Sequence, residues 1–449
     1  MLDMKIIRQQ PELVQAVANR KGIEVSVERI LERDRQKREI QQKVEELRRE
    51  RNERSERIGR LMRSKPKKVT TSAAVQRGAL YEPERAAVKK INDELAALET
   101  EWTNVSQELE ELLLLVPNLV SPDTPEGLSD ADNVELKRVG EPPQFAFPTR
   151  DHVELGESLG LIDISRGVKV AGTRNYYLTG IGAMLHRAVQ QLAVDLLIKR
   201  GFTLLDVPLM VRPDAMTSTG FFPFGQDQVY RVEDEGKCLV GTSEAPLVAY
   251  YGGEIVNVKE PIRLTAATAC FRSEIGSAGR DVRGLYRVHQ FAKVEQVVIC
   301  EADYEISERC HQEITANAEE LLSLLELPYR VVAVCIGDMS QKTYKQFDIE
   351  TWMPSRNAYG ETHSASNLGD FQARRAGIRY RGKDSELRYC HTLNNTAVAT
   401  PRILIPLLEN HQNEDGSVTI PEALRPYLNG MTVIHPIAGP KEPNGTMTI

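Results

Sequence analysis

The sequence has no stretch approaching the length of a membrane span, and its most apolar short run, Leu112 to Val116, is too brief to cross a bilayer. Residues Met1 to Arg20 lack the basic-then-apolar plan of a secretory signal. Cysteine is scarce: Cys238, Cys270, Cys300, Cys310, Cys335 and Cys390 are scattered, with no Cys-x-x-Cys pair. That argues against zinc and a disulfide framework, and makes free thiols in a reducing, cytoplasmic compartment the expectation. An excess of positive charge is missing too. With 57 Lys and Arg against 64 Asp and Glu, the formal net charge is -7, which argues against a surface that binds nucleic acid all over. Local basic patches stay open. The 449 residues, 41% hydrophobic and 27% charged, fit a soluble globular chain of two or three domains.

The most informative stretch runs from Cys270 to Glu295. It reads as a strand from Thr265 to Glu274, a loop turned by Gly276, Gly279 and Gly284, and a returning strand from Leu285 to Ile299. Side chains two apart share a face of a strand, so Arg272 points with Glu274, and Arg287, Phe291 and Glu295 point together. Such a hairpin gathers two guanidinium groups, two carboxylates and one ring on one surface. Arginine makes bidentate contacts to phosphate or carboxylate. Phe291 offers a flat face to a base, and either glutamate can accept from an adenine amine or a substrate ammonium. The set suits a nucleotide polyphosphate and an amino acid. Arg-x-Glu beside a glycine-rich loop, taken alone, is better explained as a solvated basic hairpin.

Before this stretch lies a helical region. Pro11-Glu12-Leu13 starts a short helix with Leu13, Val14 and Val17 on one face. From Val27 a long helix carries Ile40, Val44, Leu47, Ile58 and Leu61 at heptad a and d positions. Residues 69–83 read as the reversal, and a second helix from Glu84 to Leu115 carries Val88, Ile91, Leu95, Leu98, Trp102, Val105, Leu109 and Leu112. Sustained a/d spacing predicts an antiparallel coiled-coil arm over about 27–115. Leu31 to Lys68 holds 15 basic residues against 8 acidic, and Glu82 to Glu111 holds 3 against 9. Pairing across the arm accounts for most of this. The surplus toward the tip (Arg54, Arg57, Arg60, Arg63, Lys65, Lys67, Lys68) is equally what phosphate-backbone contact uses.

Prolines crowd 116–148, which reads as an irregular linker, and a globular body is expected from Asp151. There, Gly182 to Arg200 predicts a long amphipathic helix and Gly201 to Pro208 a strand ended by proline. Gly241-Thr242-Ser243-Glu244 opens a helix, with Ser243 as a candidate cap. Ala302 to Leu325 is helical and Tyr329 to Val334 a buried strand. Glu361, His363 and Ser364 form a candidate metal or nucleophile site; no second His or Cys stands at zinc spacing, and His363 alone suits a satisfied strand residue. Leu393 to Ile403 is a strand leading into a helix with Arg402 in its first turns, where a cation opposes the helix dipole and phosphate contact would explain it.

The string around Arg272 resembles motif 2 of the class II aminoacyl-tRNA synthetases, in the form seen in seryl-tRNA synthetases of bacterial or organellar type. Gly201 to Pro208 resembles motif 1, Thr217 to Phe224 the Thr-Gly-x-x-Pro loop, and Thr242-x-Glu244 the serine-binding segment. Leu393 to Gln412, ending Glu409-Asn410-His411-Gln412, resembles motif 3. Ile275 and Ala365 depart from the usual small residue and cysteine. The resemblance implies an α+β fold: an antiparallel sheet flanked by helices, with no Gly-x-Gly-x-x-Gly site and no Walker loop. It implies a tRNA-binding arm over 1–118, a linker over 119–150 and a catalytic domain over 151–449. The implied activity is ATP-dependent ligation of L-serine to tRNA(Ser) through a seryl-adenylate, with tRNA(Sec) open as a second substrate, by a homodimer without membrane attachment.

By the same resemblance Arg272, Glu361 and Arg402 are catalytic. Serine is met by Thr242, Ser243, Glu244, Arg272, Glu295 and Thr396. ATP is met by Arg272, Ser273, Glu274, Val288, His289, Gln290, Phe291, Glu361, Thr362, His363, Ser364 and Arg402, with Mg2+ on Glu361 and Ser364, oxygen ligands suited to a hard cation. A catalytically inactive RNA-binding paralogue is the alternative. It would have lost Arg272, Arg402 or Glu361, and all three are present. A ligase acting on a carrier protein would have no use for the arm.

Overall fold

The computed structural model describes residues 1–63, 71–275 and 283–437. Two compact units appear: one of Asp3–Ala18 and Glu24–Val116, the other of Met1–Leu2, Asn19–Ile23 and the chain from Pro117 onward.

The first unit contains α1 (Met4–Gln9), most of α2 (Pro11–Arg20), α3 (Val27–Arg63) and α4 (Thr71–Leu115). Ile40 and Val44 on α3 pack with Ile91, Leu95 and Val105 on α4, flanked by Leu47 and Leu98, as the heptads require. Pairs Arg29–Glu108, Arg48–Glu99 and Arg54–Glu84 run in opposite numerical order along the two helices, so they are antiparallel. Three local expectations fail. The second helix starts at Thr71, with Pro83 inside it rather than before it; one proline removes one backbone donor, and the remaining turns of a long packed helix outweigh that loss. Trp102 stays 36% exposed with Lys37 Nζ 5.0 Å from its ring, because a bulky ring that cannot enter a narrow seam is served by a cation on its face. Leu13 is exposed, and Val14, Val17 and Ala18 form the buried face of α2. The Leu61 side chain, Lys65, Lys67 and Lys68 lie outside what is described.

The second unit is built on eight strands: β1 (Val134–Val139), β2 (Thr203–Leu204), β3 (Ile262–Phe271), β4 (Gln290–Cys300), β5 (Tyr329–Ala333), β6 (Lys345–Met353), β7 (Ala358–Asn367) and β8 (His391–Thr400). Their order is β1-β5-β6-β7-β8-β4-β3-β2, antiparallel throughout except for the parallel pair β2–β3. The helices used below are α5 (His152–Ser158), α6 (Ile181–Lys199), α7 (Glu244–Ala249), α8 (Tyr304–Leu324), α9 (Phe371–Ala376) and α10 (Leu404–Asn410). Alternation along β4 sorts the two faces. Val294 and Val298 join a core with Val189, Ala193 and Leu197 of α6 and Ile314 and Leu321 of α8. Val297 and Ile299 join a second core with Leu247, Val248 and Ala373.

Several boundaries differ from the sequence reading. Val134–Val139, inside the presumed irregular linker, is the sheet's edge strand; every residue of it is exposed, so backbone pairing with β5 holds it without leaving a hydrophobic pattern. The strand before Pro208 shrinks to two residues. At the central hairpin β3 stops at Phe271 and β4 starts only at Gln290. Glu274 has φ +53°, which no strand continues through. Arg272, Glu274 and Arg287 therefore do not owe their direction to strand parity. Gly276 and Gly279 fall outside the described residues. Gly284, at φ +90°, approaches His152 so closely that a Cβ would strike its Nε2.

Candidate active site

One cavity of about 270 Å³ opens over β4, β6, β7 and β8. Of the residues singled out in the sequence, Thr242, Glu244, Arg272, Glu274, Val288, Phe291, Glu295, Glu361, Thr362, Ser364, Thr396 and Arg402 line it, together with Arg287. Two bulges make this possible. On β7, Ile349 pairs with His363 but Glu350 with Glu361, so Thr362 is extra; on β8, Val294 pairs with Val398 but Glu295 with Thr396, so Ala397 is extra. A bulge breaks the two-residue alternation, so Glu361 and Ser364, three apart, reach the same cavity.

Five expected residues stand outside the lining. Ser243 is fully buried. The Ser273 hydroxyl donates to Asp227 O at 2.6 Å. The His289 ring Nδ1 lies 3.1 Å from Arg272 O, and its N–H and C=O already serve backbone bonds. Gln290 opens β4 and borders a separate cavity with Tyr176 and His186. His363 is buried with Nδ1 2.8 Å from Thr362 Oγ1, and burial pushes its ring down to about 3. The plain reading of His363 as a strand residue is the one its geometry supports.

Three arginines line the cavity. Arg272 Nε donates to Gly241 O at 3.3 Å and its guanidinium lies 5.3 Å from the Phe291 ring. Arg287 lies 3.6 Å from Glu274. Arg402 donates to Tyr286 O at 3.2 Å and Glu361 O at 3.1 Å, with its guanidinium 4.4 Å over the Tyr286 ring. It stands two residues before α10, which starts at Leu404, rather than in its first turn. Behind Ser364, Gln346 Nε2 donates to Asp348 Oδ1 at 2.9 Å and to Ser364 Oγ at 3.2 Å. Burial, reinforced by the charge of Glu361, pushes Asp348 up to about 8.

Two buried carboxylates line the cavity as well. Glu244 accepts from Lys342 Nζ at 2.6 and 2.7 Å, from Gln372 Nε2 at 2.6 Å and from Asn394 Nδ2 at 2.7 Å. Glu295 pairs with Lys293 at 2.8 Å and meets Thr396 Oγ1 at 3.5 Å; burial raises its pKa, against the pull of Lys293. The sequence reading missed Lys293, Lys342, Gln372 and Asn394. Lys293 was within reach of it, standing two before Glu295 on one strand face. Lys342 comes from a turn between β5 and β6 and carries no local sign of its partner. Below the site, the Glu409–Gln412 segment proves to be a knot of buried polar contacts: Asn410 donates to Trp352 O, His411 Nε2 meets Leu325 O and Gln412 donates to Arg150 O.

Residues 230–411 match the model of the tRNA synthetase class II core domain (G, H, P, S and T), and residues 1–120 match the Seryl-tRNA synthetase N-terminal domain. A serine–tRNA ligase of Deinococcus radiodurans is 44% identical over 435 residues, covering 97% of this chain and 99% of the relative. The chain belongs to the seryl-tRNA synthetase family. This synthetase is also 42% identical to a serine–tRNA ligase of Acidithiobacillus ferrooxidans, over 97% of its own length and 100% of the relative's. Its fold matches a crystal structure of the Pyrococcus horikoshii seryl-tRNA synthetase complexed with ATP, with TM-score 0.88, 37% identity, and coverage of 97% of this chain and 100% of that one. It is a class II aminoacyl-tRNA synthetase, with the α+β fold that the motifs implied, and its activity is the ATP-dependent ligation of serine to tRNA. Catalytic inactivity finds no support, since Arg272, Glu361 and Arg402 all line the cavity.

Proposed function

We propose that this cavity forms seryl-adenylate and passes the seryl group to tRNA(Ser), and the observation that carries the proposal is one cavity lined both by Arg272, Arg287 and Arg402 and by the buried carboxylates Glu244 and Glu295. The serine carboxylate attacks the α-phosphorus of ATP and pyrophosphate leaves. Arg272 bridges the α-phosphate and the serine carboxylate, and Arg402 takes the γ-phosphate. The adenine stacks on Phe291, with Glu274 accepting from its amine. Glu244 accepts from the serine ammonium, while Glu295 and Thr396 face the hydroxyl, with Thr242 closing the wall. The chain acts by holding reactants in line and stabilising charge on phosphate oxygens.

Among the described residues no group of three or more His, Cys, Asp or Glu could hold a metal unaided. The Glu361 carboxylate and Ser364 hydroxyl nonetheless make a hard oxygen pair beside Arg402, and they fit magnesium if phosphate oxygens complete the shell. Bound there, magnesium would neutralise phosphate charge. The arm of residues 1–118 is the tRNA-binding element in this reading, and two copies pair through the α6–β2 region, where Ile198 and Leu204 are exposed. All six cysteines are free and buried, which supports a cytoplasmic setting. No helix among the described residues is long and apolar enough to cross a membrane.

ATP–pyrophosphate exchange over a panel of amino acids tests the proposal. A site built to bond a hydroxyl rejects the analogue lacking it by a factor on the order of 10⁴. Serine is expected to support exchange and alanine to fail by that margin; comparable rates with both would overturn it.

A further inference from the structure

Glu244, the carboxylate assigned to the serine ammonium, already holds an ammonium. Lys342 Nζ donates to both of its oxygens, at 2.6 and 2.7 Å, while Gln372 and Asn394 each donate to Oε1. Glu244 is only 4% exposed, so water does not share the load. An amine entering from solvent carries the same charge, seeks the same oxygens and meets an occupied seat.

Glu295 is in a similar state through Lys293, but the two lysines differ in freedom. Lys293 is itself buried, on a strand with neighbours on both sides. Lys342 stands at the cavity wall, its Nζ also 4.8 Å from the centre of the Phe221 ring, on a turn rather than inside the sheet. The backbone beneath Lys342 is pinned. The buried Lys21 ammonium donates to the carbonyls of Ser340, Gln341 and Thr343 at 3.2, 3.4 and 2.7 Å, and Asn118 Nδ2 donates to the Lys342 carbonyl at 3.1 Å. With the turn held in this way, the movable part is the Lys342 side chain.

We infer that Lys342 is an internal competitor at the serine subsite: it fills the ammonium seat of the empty site, so that a ligand must bring a contact beyond its amine, such as a carboxylate, to displace it. Exchanging one ammonium on Glu244 for another replaces an ion pair by its near equivalent and yields little. Entry must be driven by a contact that the lysine cannot make. A ligand carboxylate on Arg272 is such a contact, charge-assisted and bidentate. Serine has both groups, whereas ethanolamine has the amine and hydroxyl alone. This inference rests on the assignment of Glu244 made above.

The test is ATP–pyrophosphate exchange by the full-length enzyme and its Lys342→Met, Lys342→Ser and Glu244→Gln variants, with ethanolamine as competitor and thermal melting to verify folding. Removing an occupant that leaves the seat free only a small fraction of the time lowers the apparent constant by that fraction. The serine KM is expected to fall about tenfold in whichever Lys342 variant folds, with the ATP KM unchanged. The ethanolamine inhibition constant should fall by the same factor. A merely structural lysine would raise the serine KM or leave it alone, and either result in a folded variant overturns the inference. If Glu244→Gln raises the serine KM while the Lys342 variants do not lower it, the seat stands and only the role of Lys342 falls. If Glu244→Gln leaves the serine KM unchanged, the seat itself is wrong and the inference falls with it.

Discussion

His152 and Glu409 face each other at 2.9 Å, Nδ1 to Oε1, in the interior beneath the cavity. The other ring nitrogen accepts the Leu285 N–H at 3.2 Å, so the Nδ1 proton is the one given to the carboxylate. Glu409 also accepts from the His152 N–H, the Ser355 N–H and the Ser355 hydroxyl. The imidazole thus links the fully buried Glu409 to the backbone where the cavity wall at Leu285 begins.

Glu409→Ala would leave these four donors without an acceptor in a buried site. The expected loss is about 3 kcal/mol or more of folding stability, the scale for stripping a buried charged group from its partners. Glu409→Gln, which keeps an acceptor oxygen, should lose less. Urea unfolding measures both, and an unchanged midpoint in the alanine variant would refute this role.

Arg272→Ala and Arg402→Ala should each slow adenylate formation by roughly 10²-fold or more, the scale of losing one preorganised electrostatic interaction. Arg402 also holds Glu361 through its backbone carbonyl, so its removal should weaken magnesium dependence as well. Exchange near the normal rate in both variants would make these arginines structural.

On the arm, Arg54 and Arg57 share Glu84, and Arg60 pairs with Glu56. The cross-helix pairing anticipated from charge is therefore present, yet exposed pairs are weak and leave a guanidinium available to phosphate. Replacing Arg54, Arg57, Arg60 and Arg63 by Gln should reduce the salt slope of tRNA binding by about one unit for each phosphate no longer neutralised, without affecting serine activation. An unchanged slope and normal charging would leave these residues as helix-pairing groups only.

Burial pushes the rings of His186 and His311 down to about 4 and that of His363 to about 3. In the unfolded chain each takes its proton near about 6.5. Below that pH the unfolded state binds more protons, so stability should be complete above it and fall as the pH drops toward 4. His311, stacked on Phe347 at 4.6 Å and bonded to Ala365 O, is the one to replace. His311→Gln should flatten the dependence of the urea midpoint on pH between 6.5 and 4, and an equally steep curve would count against it.

The sequence by itself determined what repeats. The heptads of Ile40, Val44, Ile91 and Leu95 set the arm, and the period of α6 placed that helix within a residue of its observed ends. Arg272, Phe291, Glu295 and Arg402 were recognisable because their motifs are local strings. The tertiary structure alone decided what leaves no periodic trace. The edge strand Val134–Val139 is held by backbone bonds with its side chains in water, so no burial pattern marks it. The bulges at Thr362 and Ala397 exist only against a partner strand, and they overturn simple alternation where the cavity needs it. Lys342 reaches Glu244 from 98 residues away. Periodic burial is written locally, whereas an ion pair between distant segments comes into being only when folding removes the water between them.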